Sequence, residues 1–429
     1  MSIVGSEKPG KKISSMLLML MDNGICSWYT VFILSGERCS YMKSTINNMP
    51  LGGAESCNVL IMANYRTPCS GNFVASVLEL AEKMRDCGNE VYFLFPEHRN
   101  GGGYTWTDWL EKNGFSVTLL NDQTSSEEVL NVLQNLIQQH NIKIVHTHFG
   151  LYHKLLIYNA PKLGVKVLVH DHMDFSPEGN IQKQKLRSLV FSAVYRMKGI
   201  HVVSVMELKS KSYLLCGKKY SHYVPNGLSL RRNVPADVTR EERRSELGIA
   251  ENEKLCLLLG WDKYRKGMDI AVKAVAKFRE TDPTLHLGII GVGSPPWQST
   301  VDWITETTGV DSSCPWLHFF PSFEDMFACH RAADVYLSAS RKEAFSYGIL
   351  EAISQNTPVV VSNIEGTAWA TRYDKSVTYP VEDANACADA IRRALEMGRR
   401  PSNQDEITAQ YSIDLWCDRI MEIYTSMLK

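Results

Sequence analysis

The sequence predicts an α/β protein with two Rossmann-like, doubly wound parallel-sheet domains that face a cleft. The first observation is length, because 429 residues exceed what one hydrophobic core usually organises. The second is alternation: from Asn58 onward, short apolar runs alternate with longer amphipathic stretches, which is typical of strand–helix–strand units. The third is that this pattern restarts after the turn signal Val-Pro-Asn-Gly at residues 224–227. We therefore expect two open parallel sheets.

The first domain is predicted over residues 56–224. Its clearest unit is a buried strand at 59–63, followed by a loop and by a helix that Gly88 ends. Further strands are predicted at residues 91–95, 117–120, 142–147, 167–170 and 200–204. The segments between them are long enough for crossover helices, as parallel pairing requires.

The second domain is predicted over residues 225–411. Its strands are expected at residues 255–259, 285–290, 317–320, 335–338 and 359–362, and two of its helices at 266–279 and 382–397. The last segment, 412–429, carries apolar side chains at helical spacing, so it needs an apolar surface to pack on. We expect this helix to return to the first domain.

Residues 1–55 fit no Rossmann unit and are interpreted as a poorly defined N-terminal extension. The stretch 16–34 is apolar, but Asp22, Asn23 and Gly24 interrupt it well short of an unbroken membrane span. Eleven scattered cysteines without a Cys-x-x-Cys pair argue against a disulfide framework and indicate a reducing, cytoplasmic compartment.

The charge balance excludes some partners. A formal net charge of −1 produces no global field that would recruit nucleic acid, so an anionic ligand must be bound locally. One predicted helix is basic and amphipathic, with its charges at Lys183, Lys185, Arg187, Arg196 and Lys198. A solvated helix face and a peripheral contact with anionic lipid both fit this pattern.

The segment 341–352 is the richest in candidate ligand-binding residues. It follows the strand that ends near Ser338 and reads as a loop turning into a helix. Gly348 is small enough for close approach of a ligand, and the first helical turn offers unpaired N–H groups that suit a phosphate. Glu351 lies one turn later, where a carboxylate can accept hydrogen bonds from ribose hydroxyls, and Glu343 lies on the loop. Spacing alone also fits a capping residue and a solvated helix face.

Two glutamates seven residues apart resemble the signature of the retaining glycosyltransferases of family 4. The run Asn-Thr-Pro-Val-Val-Val-Ser at 356–362 is similar to that family's Gly-x-Pro-Val-Val-x-Ser. Residues 260–267 resemble its glycine–arginine start and lysine–glycine end, except that Trp261 replaces the arginine. The resemblance extends from about Asn58 to the end of the chain.

The resemblance implies a retaining, metal-independent glycosyltransferase of the hexosyltransferase type. Its donor would be a nucleotide-diphosphate sugar in the C-terminal domain, with no other cofactor, and its acceptor would lie against the N-terminal domain. The implied catalytic residues are Glu343, Lys266 and His172. The implied donor-binding residues are Glu351, Ser346, Tyr347, Gly348, Phe345, Arg265, Gly71 and His170. Either Arg265 or Lys263 is expected to supply the phosphate contact that the missing arginine leaves open.

Histidines cluster at positions 146, 148, 153, 170 and 172, near the ends of predicted strands. We predict no metal site, because no His-Glu-x-x-His helix or cysteine partner accompanies them. His172 fits the family's histidine best and His170 is the other candidate, while an ordinary strand-end histidine remains an alternative for each. Glu324 and Asp325 are interpreted as favourable charges at a helix start.

Two other functions remain open. A sugar-nucleotide epimerase on the same fold would bind the donor but need no acceptor, and a non-catalytic scaffold partner of a glycosyltransferase would explain Trp261. From family usage we expect a carbohydrate or lipid-linked acceptor in cell-surface polysaccharide or glycolipid synthesis. The expected location is the cytoplasm, with peripheral contact at the inner face of the membrane.

Overall fold

The computed structural model describes residues 13–22, 25–34, 56–98, 101–121, 123–150, 152–173, 181–231, 238–293 and 296–429. The chain divides into two compact units, Met1–Met49 and Pro50–Lys429. Among the described residues, no helix is both long enough and apolar enough to cross a membrane.

The first unit contains an antiparallel pair of strands, β1 (Ile13–Asp22) and β2 (Ile25–Leu34), with Ile13 opposite Leu34. No strand was predicted for this stretch from the sequence. The overlooked signal was Asn23-Gly24 between two apolar runs, because Asn-Gly is a strong two-residue hairpin connection. The rest of the predicted extension lies outside the described residues.

The second unit begins with a seven-stranded parallel sheet in the order β5-β4-β3-β6-β7-β8-β9. Its strands are β3 (Asn58–Ala63), β4 (Val91–Pro96), β5 (Ser116–Leu120), β6 (Ile142–His148), β7 (Lys166–Asp171), β8 (His201–Ser204) and β9 (Ser221–Tyr223). Its helices are α1 (Gly71–Asp86), α2 (Thr105–Lys112), α3 (Ser126–Gln139), α4 (His153–Leu163), α5 (Ile181–Lys198), α6 (Glu207–Ser212) and α7 (Gly217–Tyr220).

A six-stranded parallel sheet follows, in the order β12-β11-β10-β13-β14-β15. Its strands are β10 (Lys254–Leu259), β11 (Leu285–Ile290), β12 (Leu317–Phe320), β13 (Val335–Ser338), β14 (Val359–Ser362) and β15 (Ser376–Tyr379). Its helices are α8 (Arg240–Glu246), α9 (Met268–Arg279), α10 (Gln298–Thr308), α11 (Met326–Ala332), α12 (Tyr347–Ser354), α13 (Ala384–Met397) and α14 (Gln404–Gln410), and a 3₁₀ segment spans Glu365–Arg372.

Two parallel sheets with helices between their strands confirm the predicted fold class. The edge strands β9 and β15 were missed, since three or four partly polar residues give no periodic signal. The helix predicted from residue 266 begins at Met268, so Lys266 lies on the loop before it. The domain limits of 56–224 and 225–411 remain a prediction. The strands of the first sheet all lie within the first range and those of the second sheet within the second.

The C-terminal helix α15 (Ile413–Leu428) packs on the N-terminal sheet domain, as expected. Its apolar stripe enters the cluster formed by β3, β4 and α1, where Trp416, Ile420 and Tyr424 are buried. The end of the chain, which follows the second sheet domain in sequence, therefore packs against the first sheet domain.

Removal of residues 1–49 is expected to leave the two sheet domains folded. Both sheets belong to the second compact unit, Pro50–Lys429, and the described residues of that unit supply each sheet with its own apolar cluster. The measurement is thermal unfolding of 50–429 beside the full chain. A melting temperature many degrees lower in the truncated protein would contradict the expectation.

Candidate active site

In each sheet the strand order reverses direction beside the strand that comes first in sequence. In such folds ligands bind at this switch point, in the crevice beyond the carboxyl ends of the strands. In the C-terminal sheet the switch lies between β10 and β13. The two motif segments, 260–267 and 339–348, directly follow these neighbouring strands. Parallel pairing therefore brings segments about eighty residues apart to one edge of the sheet.

Lys266 and Glu343 form a buried ion pair at this edge. The Lys266 ammonium donates to Glu343 Oε2 at 2.6 Å, and each residue is only 8% exposed. Arg265 adds a second positive charge, with its Nη1 3.9 Å from Glu343 Oε1. Burial raises the pKa of Glu343, but the Lys266 ammonium and the Arg265 guanidinium lower it by more. The net result is a pKa below the usual value for a glutamate. The carboxylate is therefore ionised at neutral pH.

Trp261 lies against both of these cations. The Arg265 guanidinium lies 4.4 Å and the Lys266 ammonium 5.6 Å from the centre of a Trp261 ring, within the range of cation–π attraction. Lys263 lies elsewhere, because its ammonium donates to the Ser299 carbonyl oxygen at 2.7 Å. Of the two residues considered for the missing phosphate contact, only Arg265 is near Glu343.

The first turn of α12 continues the site. Ser346 is the N-cap, and its hydroxyl accepts from the Ile349 N–H at 3.4 Å. A Cβ at Gly348 would lie 2.4 Å from the Tyr336 hydroxyl and 2.7 Å from Leu259, so glycine is needed here for packing. Burial raises the pKa of Tyr336, and both Glu343 and Glu351 raise it further. The Tyr336 phenol therefore lies near both carboxylates.

Glu351 reaches across to the N-terminal domain. Its Oε1 accepts from the Asn72 side-chain amide at 2.9 Å, and its Oε2 lies 3.6 Å from His330 Nε2. Asn72, on the first turn of α1, also accepts from the Ser229 N–H. Burial raises the pKa of Tyr347, next to Ser346, and the side chain of Ser76, also on α1, lowers it. The start of α1 and the start of α12 thus face each other.

A second contact across the domains was not predicted. The Glu324 carboxylate accepts from both the N–H and the hydroxyl of Ser70, the residue before Gly71, at 3.1 and 2.7 Å. Asp325 accepts from the Ala328 N–H and caps α11, as expected for a charge at a helix start. For Glu324 the interpretation as a helix-start charge was incomplete, because it missed the contact with Ser70. The direction of this side chain depends on how the two domains pack.

The predicted donor-binding residues do not all lie together. Phe345 follows Glu343 closely in sequence, but its ring stacks on Trp369 at 4.6 Å and packs beside Tyr411. These rings line a cavity of about 620 Å³ that also borders the end of β8 and α15. Gly71 lies in the other domain, where it is the first residue of α1.

The histidines converge at the ends of β6 and β7. His172 Nε2 lies 3.0 Å from His148 Nδ1, and the His172 ring stacks on Phe149 at 4.3 Å. His170 is buried and lies 3.1 Å from His146. Burial lowers the pKa of His172 to about 3, so its imidazole is neutral at physiological pH. His153 lies apart and pairs with the Tyr195 hydroxyl.

Residues 239–411 match the sequence profile of the family described as glycosyl transferases group 1. The lipopolysaccharide glucosyltransferase WaaG of Escherichia coli is 32% identical over 153 residues, which cover 35% of this chain and 36% of the relative. The D-inositol 3-phosphate glycosyltransferase of Nocardia farcinica is 30% identical over 154 residues, covering 35% and 34%. The chain thus aligns with about a third of the length of these curated relatives.

Solved structures resemble the chain over both domains. A glycosyltransferase from Rickettsia africae superposes with a TM-score of 0.67 at 19% identity, covering 87% of this chain and 99% of that one. Anabaena Alr3699/HepE, solved with UDP-glucose, gives a TM-score of 0.67 at 15% identity, covering 86% and 99%. At such identities the likeness establishes the fold. Residues 239–411 therefore resemble the group 1 glycosyl transferases in sequence, and the two sheet domains together have the GT-B fold.

Proposed function

We propose that this protein is a retaining, metal-independent glycosyltransferase that moves a hexose from a nucleotide-diphosphate sugar to a hydroxyl acceptor. The observation that carries the proposal is the buried Lys266–Glu343 pair at 2.6 Å, beside Arg265 and the start of α12. Two cations and a helix N-terminus together supply the positive charge that a departing diphosphate needs. This charge is the reason for proposing that no metal ion takes part.

The proposed step forms one bond and breaks one. The acceptor oxygen bonds to the anomeric carbon on the face from which the diphosphate departs, while the bond between that carbon and the diphosphate oxygen breaks. The acceptor proton passes to an oxygen of the leaving phosphate. The products are the glycoside, with its anomeric configuration retained, and the nucleoside diphosphate.

Each residue has a proposed part in this step. Lys266, Arg265 and the N–H groups of residues 346–348 stabilise the negative charge that grows on the diphosphate. Glu351 accepts hydrogen bonds from the ribose hydroxyls, for which it must exchange its bond to Asn72. Glu343 and His172 position the transferred sugar from opposite sides of the cleft.

The names of similar proteins support the substrate classes. A structural neighbour was solved with UDP-glucose, which favours a nucleotide-sugar donor here. One relative is a lipopolysaccharide glucosyltransferase, which favours a carbohydrate or lipid-linked acceptor at the cell envelope. We accordingly propose a cytoplasmic enzyme acting at the inner face of the membrane.

The test begins with a panel of nucleotide sugars in a thermal-shift assay. A donor at one hundred times its Kd stabilises the folded protein by about 2.7 kcal/mol through mass action. The selected donor is then incubated with and without a panel of sugar and lipid-linked acceptors. Isomerised donor in the absence of acceptor would replace the proposal with an epimerase, and binding without turnover across the panel would replace it with a scaffold.

Peripheral membrane contact is proposed for the exposed face of α5. Leu186, Val190 and Met197 share one helical stripe and are exposed, Met197 to 78%, with Arg187 and Arg196 beside them. Apolar side chains flanked by arginines suit an anionic lipid surface. We expect the protein to float with vesicles containing phosphatidylglycerol, and less so at high salt.

The test variant carries Leu186→Asn and Met197→Asn together on α5. The control variant carries Trp297→Asn. Trp297, an apolar residue of the C-terminal domain, is 57% exposed, close to the 60% of Leu186. We expect vesicle binding to fall only when α5 is changed. Equal binding by all forms, or equal binding to neutral phosphatidylcholine vesicles, would refute this contact.

A further inference from the structure

Three buried imidazoles lie together at the ends of β6 and β7, beside His172. His146 and His148 lie two residues apart on β6, so their side chains point to one face of the sheet, and His170 lies on the neighbouring strand β7. The parallel register pairs His148 with His170. One nitrogen from each of the three rings lies within 4.8 Å of the others.

In each of the three rings the Nδ1 atom has a neighbour within hydrogen-bond distance. His146 Nδ1 lies 2.7 Å from the Tyr424 hydroxyl, and His148 Nδ1 lies 3.0 Å from His172 Nε2. His170 Nδ1 lies 3.1 Å from His146 Nε2. If each Nδ1 carries the proton, every one of these contacts is a hydrogen bond. The Nε2 atoms of His148 and His170 then present lone pairs, and both are buried with no hydrogen-bond partner among the residues that the structure describes.

These two buried acceptors favour a bound ligand, because an unsatisfied buried polar atom costs about 1–3 kcal/mol. We propose that His146, His148 and His170 bind one divalent transition-metal ion of the zinc class. Neutral imidazole is the ligand form that Zn²⁺ requires, and N-donor sites disfavour Mg²⁺ and Ca²⁺, which prefer oxygen. Ligand nitrogens on a tetrahedral Zn²⁺ lie about 3.3 Å apart. The three nitrogens would reach this spacing from the observed 4.8 Å or less if His146 Nε2 left His170 and the rings rotated slightly.

The surroundings of two of the three rings, His146 and His148, match those of bound metal ligands. A ligating histidine usually gives its other nitrogen to an outer partner that fixes the ring, and Tyr424 and His172 lie where such partners are needed. Tyr424 belongs to α15, which arrives from the far end of the chain. A bound ion would therefore fasten the ends of β6 and β7 to the C-terminal helix. The three ligands are not among the residues proposed to stabilise the diphosphate, whereas His172, which is proposed to position the sugar, contacts the ligand His148.

The test uses the full-length protein with no affinity tag, stripped with a chelator and then loaded with ZnCl₂, CoCl₂ or MgCl₂. We expect one Zn²⁺ per chain by elemental analysis, no retained Mg²⁺, and a visible Co²⁺ absorption band of tetrahedral type. Zn²⁺ should also raise the melting temperature. A wild-type protein that retains no stoichiometric Zn²⁺ overturns the proposal.

Two variants and a control separate the cluster from other histidines. His148→Gln with His170→Gln removes two ligands, and we expect the stoichiometric Zn²⁺ and the Co²⁺ band to be lost. Tyr424→Phe keeps all ligands and should weaken Zn²⁺ affinity by about 10- to 100-fold, so it serves if the double variant fails to fold. His222→Gln is the control, since His201 and His222 form a pair elsewhere and should leave binding unchanged. Wild-type affinity in both cluster variants overturns the proposal.

Discussion

Lys266→Met is expected to lower turnover by about a hundredfold, by analogy with the loss of one oxyanion donor. The ammonium is the cation nearest to Glu343 at the proposed diphosphate site, and Arg265 remains as the second. The measurement is kcat with the donor found by thermal shift. Unchanged turnover would remove Lys266 from the mechanism.

The same change should also destabilise the fold, which the sequence did not indicate. Removing one partner of a buried ion pair costs about 3–5 kcal/mol, because the other charge is left uncompensated. Arg265, 3.9 Å away, should bring Lys266→Met toward the lower end of this range. Glu343→Gln in the same chain removes the stranded charge. We expect the double variant to recover most of the lost stability while its turnover stays low.

This stability loss should depend on pH in a definite direction. In the native protein the pKa of Glu343 is lowered, so its contribution to stability is lost as pH falls through that pKa. Without Lys266, burial raises the pKa of Glu343 and the folded state takes up a proton more readily. The difference in melting temperature between native protein and Lys266→Met should therefore shrink from pH 7 to pH 5. A difference that stays constant would mean that Glu343 is not the stranded charge.

Gly366→Ala is expected to reduce turnover on the order of a hundredfold without touching any proposed ligand contact. A Cβ on Gly366 would lie 1.7 Å from the Glu343 carbonyl oxygen, whereas ordinary contact begins near 3.4 Å. The loop that carries Glu343 must therefore move by about 1.7 Å. A displacement of about 1 Å in a catalytic group can cost a hundredfold in rate. Overpacking should cost about 1–3 kcal/mol of stability as well.

Gly309→Ala is the control for that stability cost. Gly309 ends α10 with a φ of +72°, and a Cβ there would meet no atom within 4 Å. The left-handed backbone makes alanine unfavourable by about 1–2 kcal/mol, so the two variants lose comparable stability. We expect Gly309→Ala to keep its turnover. Equal activity in both would show that the Glu343 loop tolerates displacement.

Much of the fold could be read from local pattern. Buried parallel strands are continuous apolar runs, so most strands were predicted to within one or two residues, and the stripe on α15 required an apolar host. The motif segments 260–267 and 343–351 were also visible, since their residue types and spacing are local properties. The Asn-Gly signal between β1 and β2 was equally visible and was overlooked.

Side-chain direction was beyond the sequence. Lys263 and Arg265 were equal candidates until packing sent one to Ser299 and the other to Trp261 and Glu343. Glu324 read as a helix-start charge, because nothing local indicates that Ser70, 254 residues away, lies opposite.

The histidines illustrate the difference between the two kinds of information. The sequence by itself determined the order of strands and helices, because hydrophobic periodicity is written into neighbouring residues. Only the tertiary structure decided that β6 and β7 place His148 beside His170, and that Tyr424 closes the cluster from the last helix. Strand pairing and domain packing bring distant residues together through contacts that no local pattern encodes.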